Sequence, residues 1–130
     1  MLSLKHVVTS AINSDLYGTD EVGGVQTWCP LIDKFSSNES IELAKSRMFS
    51  TDRTGGEGVW WYTCINPKNP YPSYHIDDVL LSSRLMTWME YDYKIQGTLY
   101  WNVNYWQRYL NYKAQTTDVW SEPLSWESAN

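Results

Sequence analysis

The chain has 130 residues, a formal net charge of −5 and no run of Lys or Arg, so it lacks the basic footprint of a nucleic-acid-binding protein. Its 42% hydrophobic content suffices for a folded core in a single domain spanning 1–130, while no apolar stretch reaches the ~20 residues that a bilayer crossing needs. Eight Trp and ten Tyr far outnumber two Phe. That bias supplies rings with an apolar face and a hydrogen-bonding edge, suited to core packing and equally to holding a flat, hydroxyl-bearing ligand.

From Met1 the sequence runs almost directly into KHVVTS, without the charged and apolar regions of a leader, a start compatible with a cytoplasmic or an exported soluble protein. Lys5–Ser10 and Val25–Cys29 are β-branched runs that predict strands, the second stopped by Pro30. Only about a dozen residues rich in Gly, Asp and Asn separate them, near the minimum for a parallel crossover and too few for a full helix. Cys29 and Cys64 match no metal-ligand spacing and imply no disulfide framework; they are expected as two buried thiols, with no metal and no cofactor.

Ser37 and Asn38 are N-cap residues ahead of a helix over Glu39–Phe49, with Ile41, Ala44, Lys45 and Met48 on one face. Thr51–Gly58 breaks it. Val59–Cys64 is apolar and aromatic on both faces, as expected of a strand inside a covered parallel sheet, and INPKNPYPSY is a loop by its Pro and Asn content. Asp77 and Asp78 suit the first turn of a second helix whose apolar face is Leu81, Leu85, Trp88 and Met89, with Gly97 as its left-handed terminator. Thr98–Val103 predicts a fourth strand. The tail from Asn104, including 107–130 with Trp120, Pro123 and Trp126, is expected as an ordered loop at a barrel mouth.

Strands alternating with helices predict an α/β fold with a parallel sheet and, through right-handed crossovers, outer helices. Four strands leave open edges, whereas a closed (β/α)8 TIM barrel needs eight strands and typically ~250 residues. The expectation is therefore a partial barrel, its C-terminal half, with the remainder preceding Met1.

The segment GVWWYTCINPKNPYPSYHIDDVLLSSRLMTWMEYDYKIQGTLYWNVNYW resembles the C-terminal part of the glycoside hydrolase 123-like barrel family. The resemblance extends over roughly Trp28–Trp106, and the WESAN ending is similar as well. It implies a (β/α)8 enzyme related to β-N-acetylgalactosaminidases. In that family an adjacent Asp-Glu pair, set in a D-E-P context, acts on a 2-acetamido sugar, Glu as general acid/base and Asp orienting the acetamido group. Asp20-Glu21, the only adjacent Asp-Glu dipeptide here, has no strand before it and no Pro after it. No catalytic residue is assigned to the chain on this basis, and Asp20-Glu21 is expected as two solvated loop charges.

What remains is a substrate-binding wall. In a barrel the site is built from the carboxyl ends of strands and the following loops, which selects Trp28, Tyr62, Tyr71, Trp101, Asn102 and Asn104. A ring beneath a pyranose with amide or phenol groups at its edge supplies contact area and orientation. Trp28 and Trp101 serve equally as core, because alternation alone does not fix which face each takes. Tyr62 suits an acetamido carbonyl, though a buried tyrosine bonded to backbone is the alternative. Tyr71 is constrained by Pro70 and Pro72 and is either a ligand clamp or a loop plug. Trp60 and Trp61 must take opposite faces. Arg84 and Asp78 are expected in surface or interhelix pairs, and His75 in polar packing where the second helix begins.

The expected function is the C-terminal part of a glycoside hydrolase catalytic barrel, its partners a carbohydrate (an N-acetylhexosamine-containing glycan) and the upstream half of the same barrel. The alternatives are a noncatalytic carbohydrate-binding fragment and a structural remnant with no activity alone.

Overall fold

The computed structural model describes residues 6–75 and 78–100, together with the backbone of two strands at 107–110 and 113–116. The chain divides into two compact units, Met1–Tyr100 and Trp101–Asn130.

The first unit holds a four-stranded sheet ordered β1 (Val7–Val8), β2 (Thr27–Trp28), β3 (Gly58–Thr63) and β4 (Gly97–Tyr100). Every pairing is parallel, and β1 and β4 form its edges. The link from β1 to β2 contains only a short 3-10 turn at Ser14–Leu16, as its length and polarity predicted. A second 3-10 turn, Ile32–Phe35, leads into α1 (Asn38–Met48), and α2 (Leu81–Tyr93) joins β3 to β4.

Helix α1 starts where its sequence requires. The Ser37 side chain accepts from the Ser40 backbone N–H at 3.2 Å, and the Ser40 hydroxyl accepts from the Ser37 N–H, a capping box that satisfies two otherwise orphaned donors. Ala44 and Met48 are buried as expected, but the third buried residue of the helix is Arg47 rather than Lys45. Its burial depends on a partner on the next strand.

Helix α2 departs from expectation in two ways. It begins at Leu81, after Asp78, and Asp78 instead accepts from the Ser73 hydroxyl in the preceding loop. Its buried side is Ser82 and Met86, flanked by the partly buried Leu85, Met89, Glu90 and Tyr93, whereas Leu81 and Trp88 are exposed. Polar anchors turn the helix. The Ser82 hydroxyl accepts the Ser73 N–H at 2.7 Å, and Glu90 collects hydrogen bonds from Trp61, Tyr74 and Thr98.

The left-handed terminator of α2 is Lys94, at φ 61°, and not Gly97. Gly97 opens β4 and is needed for another reason: a Cβ there would lie 2.7–2.8 Å from the Trp60 indole. Likewise a Cβ on Gly58 would lie 2.7 Å from Thr27 Oγ1. Thr27, Gly58, Trp60 and Gly97 therefore share one sheet face, and by alternation so do Tyr62 and Leu99.

Trp28, Val59, Trp61 and Thr63 occupy the opposite face and are fully buried. Trp61 meets Phe35 and Tyr93 edge to face, with ring centroids 5.6 and 6.1 Å apart. With Ile32, Ala44, Met48 and Met86 they form the core between sheet and helices. On the other face Trp60, Tyr62 and Leu99 are only half-buried and Val7 is exposed. The expected parallel α/β architecture is present, with the core on the helix side.

The second unit contains an antiparallel ladder of β5 (Gln107–Leu110) and β6 (Lys113–Thr116), paired Gln107 to Thr116 and Leu110 to Lys113. A stretch expected as loop thus contains a two-stranded ladder. Its residues alternate too little in polarity to announce strands.

Candidate functional site

The carboxyl ends of β2 and β3 lie side by side. The Tyr62 N–H donates to the Pro30 carbonyl at 3.1 Å, and Leu31 bridges to Tyr62 in parallel, extending the register past the end of β2. Pro30 lacks an N–H yet offers its carbonyl to the neighbouring strand, so it ends the run without breaking the pairing. This register fixes Cys29, Asp33, Tyr62 and Cys64 around one end of the sheet.

Tyr62 stands half-buried on the helix-free face. Burial is the main reason its phenol is held above the ordinary tyrosine range, and Cys64, Cys29 and Asp33 nearby add to the effect. Cys29 is fully buried, and Cys64 is partly exposed with its thiol against the Asn66 carbonyl at 3.4 Å.

Burial pushes the Cys29 thiol from the usual 9.0 up to about 11. Because the folded value is the higher, the stability this thiol contributes is complete below pH 9 and is lost as pH rises through 11. Chemical denaturation should show wild type losing on the order of 2–3 kcal/mol more than Cys29→Ala across that window. Equal pH slopes for the two proteins would show that the thiol is not desolvated.

The loop after β3 carries Tyr71, partly buried and packed against the core, its N–H donating to the Lys68 carbonyl at 3.3 Å. Tyr74 follows it, edge-on to Tyr100 of β4 at 5.9 Å and donating to Glu90 at 3.4 Å. Burial first, and Glu90 second, raise the Tyr74 phenol. The Ser73 hydroxyl donates to Asp78 and accepts the His75 N–H at 3.0 Å, fastening the loop before α2. Arg84 lies over the exposed Trp88 ring, 5.8 Å from its centroid.

At the opposite, amino end of the sheet a buried ion pair closes the fold. Glu57, fully buried just before β3, accepts from Trp28 Nε1 at 2.5 Å and from Arg47 Nε at 2.9 Å, and also pairs with Arg47 Nη2. The Arg47 guanidinium lies 3.6 Å from the Tyr17 ring centroid and reaches Asp52 at 3.2 Å. Asp20 belongs to the same end. It accepts from the Thr54 N–H and hydroxyl, which hold its carboxyl below the usual range.

Of the residues singled out from sequence, Tyr62 stands at the carboxyl end on the helix-free face and Tyr71 in the loop that follows β3. Trp28 lies on the helix side, fully buried with its N–H on Glu57, and has no exposed ring face. Trp60 takes the face opposite Trp61. Trp101, Asn102 and Asn104 lie outside the described residues. Among the described residues no group of three or more His, Cys, Asp or Glu gathers as metal ligands, and no helix is long and apolar enough to cross a membrane.

The sequence matches the family described as Glycoside hydrolase 123, catalytic domain, over residues 3–127. The chain belongs to this family. Among curated proteins no match is found. Membership gives the parallel sheet a glycoside hydrolase context and makes carbohydrate the substrate class. The family match runs through both compact units, so residues beyond Tyr100 belong to the same catalytic-domain sequence as the sheet.

Proposed function

We propose that the chain is the C-terminal part of a (β/α)8 glycoside hydrolase 123 barrel and supplies part of its sugar-binding wall. The observation that carries this is Tyr62: a phenol at the carboxyl end of a parallel strand, on the sheet face opposite α1 and α2 among the described residues. In a closed barrel that face is the interior, and that end is the mouth where substrate binds. The sheet edges, β1 and β4, are where the remaining strands of the barrel would pair.

In this reading Tyr62 donates to the acetamido carbonyl of an N-acetylhexosamine. Tyr71 on its proline-flanked loop closes over the sugar, and Trp101, Asn102 and Asn104 continue the wall from the fourth strand. Trp28 contributes from behind, holding β2 in register through Glu57. The acid pair is carried by the upstream half, since Asp20 is committed to Thr54 at the amino end of the sheet. Both compact units are parts of one domain.

An aryl N-acetyl-β-hexosaminide assay of the chain alone and co-expressed with an upstream half tests this. No turnover alone and turnover on co-expression are expected; turnover by the isolated chain would overturn the division of roles. Glycan binding without any gain in hydrolysis on co-expression would favour a noncatalytic carbohydrate-binding protein instead.

A further inference from the structure

Trp60 and Gly97 are direct register partners on β3 and β4, and the indole leans across onto the neighbouring strand. A Cβ on Gly97 would lie 2.7 Å from Trp60 Cε2 and 2.8 Å from both Cδ2 and Nε1. In the plane of a five-membered ring only the centre is equally far from three bonded ring atoms, and the centre is much closer to them than 2.7 Å. That Cβ would therefore stand over the face of the ring and not at its edge. Because side chains leave a strand roughly perpendicular to the sheet, the indole lies flat along it, with one face down on the Gly97 backbone. The other face points away from α1 and α2. Trp60 is half-buried there, whereas its neighbour Trp61 has no exposed surface.

Glycine in a strand weakens it, since it orders a flexible backbone and packs no side chain, and it marks a place where another group approaches the strand closely. Here that group is the indole. Carbon atoms rest about 3.5–4.0 Å apart, so a methyl group at this position would lift the ring by on the order of 1 Å or tip it out of its plane. Burial of a tryptophan does not require such a seat: Trp61 packs edge to face against Phe35 and Tyr93 in the core. A flat ring with one face supported and the other turned from both helices has the form of a platform for the apolar C–H face of a pyranose. Tyr62 follows two residues on, on the same sheet face and about 7 Å nearer the carboxyl end.

We propose that Gly97 is a positioning residue: by leaving the volume of a Cβ empty, it seats the Trp60 indole flat on β4 as the platform on which the apolar face of the bound sugar stacks. This rests on the sugar-wall reading above and adds to it the floor beside Tyr62. Gly97 acts through Trp60 alone, so its effect on binding disappears once the ring is removed.

The test titrates the full chain, labelled with fluorotryptophan, with methyl N-acetyl-β-D-galactosaminide and follows binding by fluorine NMR. Wild type, Trp60→Leu, Gly97→Ala, Gly97→Ala combined with Trp60→Leu, and Tyr62→Phe are compared, with near-UV circular dichroism as the check on folding. The Trp60 resonance is the one absent from Trp60→Leu. The sugar is expected to shift that resonance in wild type, and Trp60→Leu and Gly97→Ala should each weaken binding roughly 2- to 10-fold, the range for an aromatic contact. In the Trp60→Leu background Gly97→Ala should have no further effect. Sugar binding to wild type that leaves the Trp60 resonance unmoved overturns the inference, as does a Gly97→Ala loss that is equal in both backgrounds or absent from both. Where Gly97→Ala alone does not fold, the combined variant, free of the clash, decides: weaker binding than Trp60→Leu overturns the positioning role. If binding weakens with Tyr62→Phe but not with Trp60→Leu, the platform falls and the wall stands. If wild type binds no sugar, both fall together.

Discussion

Replacing Glu57 with Ala is expected to destabilise the chain by about 3–5 kcal/mol, the cost of removing one partner from a buried ion pair. Glu57 has no exposed surface, and its two oxygens are shared between both sides of the Arg47 guanidinium and the Trp28 indole N–H. Without it Arg47 keeps only the half-exposed Asp52 and the Tyr17 ring, while the Trp28 N–H is left buried with no acceptor. A guanidinium stays protonated in a protein whether or not it is paired, so Arg47 does not escape by shedding its proton.

A second variant separates the lost pair from the lost side chain. In Arg47→Met combined with Glu57→Leu the orphaned charge is gone, and the double replacement should cost less than Glu57→Ala alone. Urea denaturation midpoints at constant slope measure both. If the double variant were the less stable of the two, Arg47 would not be the reason that Glu57 matters.

The parallel architecture was legible because its signals are local: β-branched runs closed by Pro30, a Ser37 cap, and a crossover too short for a helix. Boundaries and facing were not. Apolar spacing put Lys45 in the α1 stripe and had no means of seeing Arg47, since only Glu57, ten residues on, makes its burial tolerable. On α2 the same spacing chose Leu81 and Trp88, but Ser82 and Glu90 anchor the helix by hydrogen bonds and rotate those two into solvent. Gly97 was given the wrong reason, a left-handed turn, because the ring that demands a glycine there comes from β3. The candidate site shares this pattern. Tyr62 was visible as the end of a strand, whereas Trp28 could be assigned to the helix side only once Thr27 was seen facing Gly58.

Adjacent tryptophans should give opposite results when truncated. Trp61 has no exposed surface, packs edge-on against Phe35 and Tyr93, and donates to Glu90 and Thr98 at 3.2 Å, so Trp61→Ala should cost about 3–5 kcal/mol. It removes ring contacts to both the turn after β2 and to α2, and leaves a cavity that the sheet is too rigid to close. Trp60 lies over Gly97 on the helix-free face and is only half-buried, so Trp60→Ala should cost about 1–2 kcal/mol, in keeping with the smaller apolar area lost. Binding should divide the other way. Truncation at Trp60, on the face shared with Tyr62, should weaken glycan binding, while a Trp61 variant still folded at low temperature should bind as wild type does. Equal stability losses from the two would mean that the second face of the sheet is as covered as the first, and a covered face has no room for a sugar.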